Sequence, residues 1–166
     1  MVDNVLAQLW SDVLWGSLDY MIVDLPPGTG DTQLTMLQRV PVSGAVIVTT
    51  PQEVALDDAR KGLRMFGRHE TPVLGIVENM SSFVCPDCGG SHDIFGSGGG
   101  HEFADANEMP FLGEIPLDPS VRRGGDSGAP IVLEDDHESG AAFREFAHET
   151  ANMQGIVRRR QVSSRQ

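Results

Sequence analysis

Lysine is almost absent from this 166-residue sequence: Lys61 is the only one. A phosphate-binding loop of the form G-x-x-x-x-G-K-[ST], or its KGG-type variant, needs a lysine beside its glycines. Lys61 instead follows Ala59 and Arg60 in a stretch of helical periodicity, so the sequence contains no such loop. Long apolar runs are missing too. None approaches the roughly 20 residues of a membrane span, and residues 1–14 lack the basic region and apolar stretch of a secretory signal. No membrane association and a cytoplasmic location are therefore expected. Positive charge is scarce, with Lys+Arg at 12 against Asp+Glu at 24 and a net charge of −12. Such a surface repels phosphates, which excludes DNA or RNA as a partner. The acids are spread along the chain, as in proteins of a salt-loving cytoplasm. Arg158, Arg159, Arg160 and Arg165 gather at the C-terminus and read as a polar tail. Only two cysteines are present, Cys85 and Cys88. Their spacing, without a secretory signal, points to metal or redox chemistry ahead of a structural disulfide.

What is there alternates between strand-like and helix-like segments. Val5, Leu6, Leu9, Val13 and Leu14 recur at helical spacing over residues 3–15, before Gly16. Residues 18–24 (LDYMIVD) are an apolar run closed by an acid, expected as a buried parallel strand. Pro26, Pro27, Gly28 and Gly30 then break regular structure. A helix is expected over 32–39, a strand over 44–50 and an amphipathic helix over 53–68, with Val54, Leu56, Leu63, Met65 and Phe66 apolar. A third strand follows at 72–78, and then a loop over 80–100, too long to be idle. Beyond it come a helix (101–107), a strand (110–115), a Pro/Gly-rich loop (116–130) and a closing helix (138–156) with Phe143, Phe146, Ala147 and Met153 inward. This order predicts one α/β domain over residues 1–166, a parallel sheet with helices on both faces, residues 134–166 forming a C-terminal helix and tail. Ligands of such sheets bind at the C-terminal strand ends. The loops 24–31, 50–53, 79–100 and 116–120 all fall there.

An apolar strand ending in Asp24 suits a magnesium-holding carboxylate, and Gly28 and Gly30 leave backbone N–H groups free to approach a phosphate. The same pattern fits a helix-capping Asp before an ordinary turn. The longer string WGSLDYMIVDLPPGTGD (15–31) goes further: it resembles the signature of the Mrp-type ATPases, a branch of the deviant-Walker ATPases that includes MinD-like and nitrogenase iron-protein-like enzymes. The resemblance continues through VTTPQEVALDDARKG (48–62), VLGIVENMS (73–81), CPDCG (85–89), IFGSGGG (94–100) and PFLGEIPLD (110–118), covering roughly residues 3–133. It implies a P-loop NTPase-like fold, incomplete at the N-terminus, with ATP and Mg as ligands of an incomplete site. Asp24 would be the Walker B acid, and Gly28, Thr29 and Gly30 part of switch II. Asn79 would contact adenine, and Pro116 to Asp118 would lie beside the base. An Asn carboxamide matches both edges of adenine, although a strand-end Asn also makes turns. In that family the phosphate-binding loop lies upstream of the matching region, so the resemblance implies a truncated chain. Without that loop the polypeptide alone is expected to have negligible ATPase activity.

Cys85-Pro86-Asp87-Cys88-Gly89 reads as a metal knuckle within the metal-binding loop 80–100. The spacing turns two thiolates toward one metal, Pro86 stiffens the turn, and Gly89 lets an N–H approach sulfur. Thiolates suit zinc or iron–sulfur clusters. Zinc completed by His92 or His101 is one alternative, and a redox dithiol another. The resemblance implies a [4Fe–4S] cluster bridging two subunits of a homodimer, each supplying one CxxC, and apo iron–sulfur proteins as recipients. The expected function is an iron–sulfur cluster carrier under nucleotide control. A non-enzymatic zinc or iron–sulfur scaffold is the alternative, favoured for this chain by the absent loop lysine. A MinD-like partition ATPase would share Asp24 but has no use for CPDCG.

Overall fold

The computed structural model describes residues 8–26, 28–85 and 87–163. Residues 8–11 are helical. The expected helix over 3–15 begins in residues outside those described, and its described part stops well before Gly16. Pro27, Pro86 and Arg165 also lie outside the described residues.

From there the elements run α1 (Asp31–Arg39), β1 (Ala45–Thr49), α2 (Glu53–Arg68), β2 (Val73–Asn79), β3 (Phe83–Val84), β4 (Ser91–His92), α3 (Gly99–Ala106), β5 (Phe111–Ile115), α4 (Pro119–Ser127), a 3-10 turn (Ile131–Leu133) and α5 (Glu138–Ser163). Strands β1, β2 and β5 form a parallel sheet with β2 in the middle. Short β3 and β4 pair antiparallel as a separate hairpin. The architecture is α/β, a parallel sheet with helices on both faces, as the alternating pattern predicts.

The middle strand is covered on both sides, which is why it reads as a continuous apolar run. Ile76, Val77 and Glu78 are fully buried. Ile76 joins Ile47 of β1 with Leu56, Ala59, Met65 and Phe66 of α2 and Phe103 and Ala104 of α3 in one core cluster. Helix α5 packs on β5 and β2. No helix among the described residues is long and apolar enough to cross a membrane.

Several sequence expectations need correction. Residues 18–24 form no strand: they are irregular, and Tyr20 and Ile22 are 60% and 85% exposed. A parallel strand exists only through hydrogen bonds to a neighbour, and among the described residues β1 pairs with β2 alone. The loop predicted over 116–130 contains α4 instead. Asp118 caps it by accepting from the Ser120 N–H, Pro119 occupies the first turn, and Gly128 closes it at φ +71. That is a start-and-stop signature for a helix, hidden by the glycine-rich composition. The 80–100 loop contains the β3–β4 hairpin and the start of α3. In α2, Val54 points outward at 79% exposure, because it lies two residues, about 200°, around the helix from buried Leu56. In α5 the half-buried stripe runs through Phe143, Phe146, Thr150, Met153 and Val157 in steps of three and four, and exposed Ala147 falls beside it. That helix also continues past residue 156 to Ser163.

Candidate metal and nucleotide site

The knuckle is built by its hairpin. Phe83 pairs with His92 and Val84 with Ser91, so the chain turns between Cys85 and Gly90. The Cys85 N–H donates to Gly90 O at 2.9 Å, and the Gly89 N–H donates back to Cys85 O at 2.8 Å. Gly89 needs its φ of +69 for this turn. Both cysteines are free thiols, Cys85 half-buried and Cys88 exposed. Backbone N–H groups of Cys88 and then Asp87, with the Cys88 thiol, hold the Cys85 thiol below its ordinary range. This favours the thiolate, which is the ligand form. His92 lies near the knuckle: a Cβ on Gly90 would sit 3.4 Å from both Cys88 Sγ and His92 Nε2. His101 is elsewhere, on α3, 3.7 Å from Asp105 and edge-on to Phe111. No three His, Cys, Asp or Glu side chains gather to hold a metal among the described residues.

The hairpin stem is stitched to the end of β5. Ser81 donates through its N–H and its hydroxyl to Ile115 O, at 3.1 and 3.3 Å. The Leu117 N–H donates to Ser82 O at 2.7 Å. Pro116 therefore lies between two residues bonded to the stem. Asn79 ends β2 opposite Ile115, and its Oδ1 accepts from the Met80 N–H at 3.0 Å. A cleft of about 290 Å³ opens here, lined by Ser82 and Val84 of the stem, Pro116 and Asp118, and Arg123 and His137. Asn79, Pro116, Asp118 and the cysteine hairpin are thus brought to one end of the sheet.

Asp118 is committed to structure. Its carboxylate accepts from the Ser120 N–H and from Ser139 Oγ, both at 2.7 Å, and lies 3.6 Å from His137 Nε2. Burial pushes its carboxyl up, but the Ser139 and Ser120 hydrogen bonds and the His137 charge outweigh it and hold it below the usual carboxylate range. Sequence reading missed Ser139 and His137; a polar residue at a helix start carries no signal that its partner lies on another helix.

The other candidates lie on the segment before α1. Asp24 is exposed on the irregular segment before α1. That segment is held at its end, where the buried Gln33 donates through Nε2 to Pro26 O at 2.7 Å, and beside it Leu25 packs on the core. Gly28 (φ +95), Thr29 and Gly30 are exposed, and Gly30 O accepts from the Leu34 N–H at the start of α1.

Sequence reading also missed Glu78. It is fully buried, and its carboxylate accepts from the N–H groups of Gly98 (3.2 Å) and Gly100 (2.5 Å). The available signal was an acid closing the apolar run VLGIV, the same pattern that singled out Asp24.

Residues 1–151 match the family described as ParA, NUBPL iron-transfer P-loop NTPase. The iron-sulfur cluster carrier protein of Pyrococcus horikoshii is 49% identical over 152 residues, 92% of this chain and 52% of that protein. The protein of the same description from Deinococcus radiodurans is 56% identical over 133 residues, 80% of this chain and 37% of its own length. Among solved structures, a nucleotide-binding protein of Archaeoglobus fulgidus in complex with ADP superposes with a TM-score of 0.70 at 42% identity, covering 77% of this chain and 53% of that one. The cell division ATPase MinD of Pyrococcus furiosus gives 0.66 at 25% identity, over 92% and 57%. The chain thus spans about half the length, or less, of the curated relatives it matches.

Proposed function

The chain belongs to the NUBPL-type iron-transfer P-loop NTPases of the ParA group, and from that membership we propose that it carries an iron–sulfur cluster on Cys85 and Cys88 and delivers it to apo iron–sulfur proteins under nucleotide control. The observation that carries this reading is the stitched stem: the cysteine hairpin is hydrogen-bonded through Ser81 and Ser82 to Ile115 and Leu117, on either side of Pro116. A group held by the 116–118 loop would bear directly on the thiolates.

The cluster is cargo. Two thiolates per chain supply half the ligands of a [4Fe–4S] cluster, so a second copy supplies the other half and the cluster bridges a homodimer. The lowered Cys85 thiol keeps the ligand form ready. On the nucleotide side, Asn79, Pro116 and Asp118 form the base end, with Asp118 acting by holding the loop through Ser120 and Ser139. Gly28, Thr29 and Gly30 offer exposed backbone to a γ-phosphate. Asp24, an exposed carboxylate, has the hard oxygen that Mg2+ prefers; the ion, when bound, would neutralise phosphate charge. With Lys61 its only lysine, in α2 and ion-paired with Asp58, the polypeptide by itself has negligible ATPase activity. The same fact favours one second reading, a metal-binding scaffold without hydrolysis.

Anaerobic reconstitution with iron and sulfide, with oligomeric mass read on the same sample, tests the carrier. About four irons and four sulfides per dimer are expected, lost in Cys85→Ser or Cys88→Ser with the fold retained. One zinc per monomer and no sulfide uptake would replace the carrier with a structural knuckle.

A further inference from the structure

The glycine run 98–100 has the look of a phosphate loop, small residues opening a helix, yet its anion site is already filled from within. Glu78, at the C-terminal end of the middle strand, reaches the first turn of α3 and takes the N–H groups of Gly98 and Gly100. These are among the donors that a helix start leaves without intrahelical partners, at the positive end of its dipole. The glycines are required by the closeness. A Cβ on Gly100 would come within 2.9 Å of Glu78 Cβ and 3.0 Å of its Oε2, and one on Gly99 within 2.4 Å of Pro51 O. Gly98 itself adopts φ +74.

This contact closes a loop. The chain leaves the sheet at Asn79 and Met80, runs through the cysteine hairpin, and returns at Gly98 to the residue next to its point of departure. The outgoing leg is tied to β5 by Ser81 and Ser82. The return leg is a short run from β4 through Ile94, which bridges Gly96; it lies over Pro51, 3.7 Å from a Cβ on Gly96, and ends on Glu78. Burying a carboxylate at the end of the middle strand is costly compared with another apolar residue. The core does not require one here; the return leg does.

We propose that Glu78 is a positioning residue for cluster carriage: it clasps the return leg of the 80–98 excursion to the sheet and so holds Cys85 and Cys88 where they present to the cluster. The role rests on the carrier reading for its consequence, but the clasp itself does not. Because Glu78 adjoins Asn79, the clasp also links the base end of the nucleotide site to the leg carrying β4.

Glu78→Gln keeps the shape and replaces one accepting oxygen with a donor that faces a backbone N–H. In the metal-free chain, hydrogen exchange followed by mass spectrometry should show peptides within 81–100 exchanging at least about tenfold faster, the ratio implied by loss of one charge-assisted hydrogen bond. Peptides of 53–68 should be unchanged. In reconstituted protein, Glu78→Gln should take up iron and sulfide but lose iron to a chelator at least about tenfold faster than the parent. Ile76→Val, a core change of similar thermal cost that leaves the clasp intact, should lose it at the parental rate. Parental exchange over 81–100 in Glu78→Gln overturns the clasp, whatever the cluster does. Equal iron loss in Glu78→Gln and Ile76→Val overturns its positioning role. If the parent takes up no iron and sulfide, the carrier reading fails, and faster exchange over 81–100 still establishes the clasp.

Discussion

Replacing Asp118 by alanine should cost about 2 kcal/mol and do so only while its carboxylate is ionised. The carboxylate performs two separable tasks: it caps α4 through the Ser120 N–H, and it accepts from Ser139 Oγ at the start of α5, each at 2.7 Å. Loss of an N-cap costs about 1 kcal/mol, and loss of a second hydrogen bond that leaves its donor, the buried Ser139 hydroxyl, unpaired costs at least about 1 kcal/mol more. For a chain of this size the sum corresponds to a fall of about 4–8 °C in Tm. The pH dependence follows from the direction of the shift. The folded carboxyl lies below its ordinary value, so the unfolded chain binds the proton more readily. The stabilisation is whole above the ordinary carboxylate pKa of about 3.9 and disappears as pH falls through the lower folded value. Thermal unfolding followed by circular dichroism at pH 7 and at steps down to pH 3 measures it for parent, Asp118→Ala and Asp118→Asn. The parent–Ala gap should narrow toward pH 3. Asp118→Asn, which keeps an acceptor for Ser120, should fall between the two at pH 7. A gap below about 1 °C, or one equally wide at pH 3, would refute the reasoning.

Ile76 is completely buried at the centre of the core, so Ile76→Ala should cost about 2–5 kcal/mol, measured by urea unfolding. Val54 is largely exposed despite its apolar character, and Val54→Lys should move stability by no more than about 0.5 kcal/mol in the same assay. With a phosphate-binding loop supplied on a longer polypeptide, Asp24→Asn should cut ATP hydrolysis by at least about tenfold; an unchanged rate of phosphate release removes Asp24 from the magnesium role.

Much of the fold was legible because local pattern and tertiary need agree over these segments. Helix 53–68 matches α2 at both ends, since its 3.6-residue apolar period is bounded by Pro51-Gln52 and by His69 beyond Arg68. The strands at 44–50, 72–78 and 110–115 are found within a residue or so, being short, mainly apolar runs flanked by breakers. The failures have two causes: a pairing partner that the local pattern cannot supply, and a local helix signature masked by glycine-rich composition. LDYMIVD has every local mark of a buried strand but pairs with nothing among the described residues. Gly124 and Gly125 suggested a loop, yet α4 forms because Asp118 and Pro119 start it and its Gly124 lies against Ala129, where a Cβ would meet the carbonyl oxygen at 2.6 Å.

The chemistry can be read from residue identity alone: two thiols at knuckle spacing, an acidic and lysine-poor chain, and motifs sufficient to place the family, because identity and spacing are properties of a string. Which groups meet depends on the folded chain. Asp118 turned out to cap one helix and hold another, and Glu78, an acid inside an apolar run, turned out to receive the glycine run twenty residues on. Hydrogen bonds and buried charges depend on positions that the sheet alone brings together, and strand register aligns Asn79 with Ile115 with no local mark in either segment.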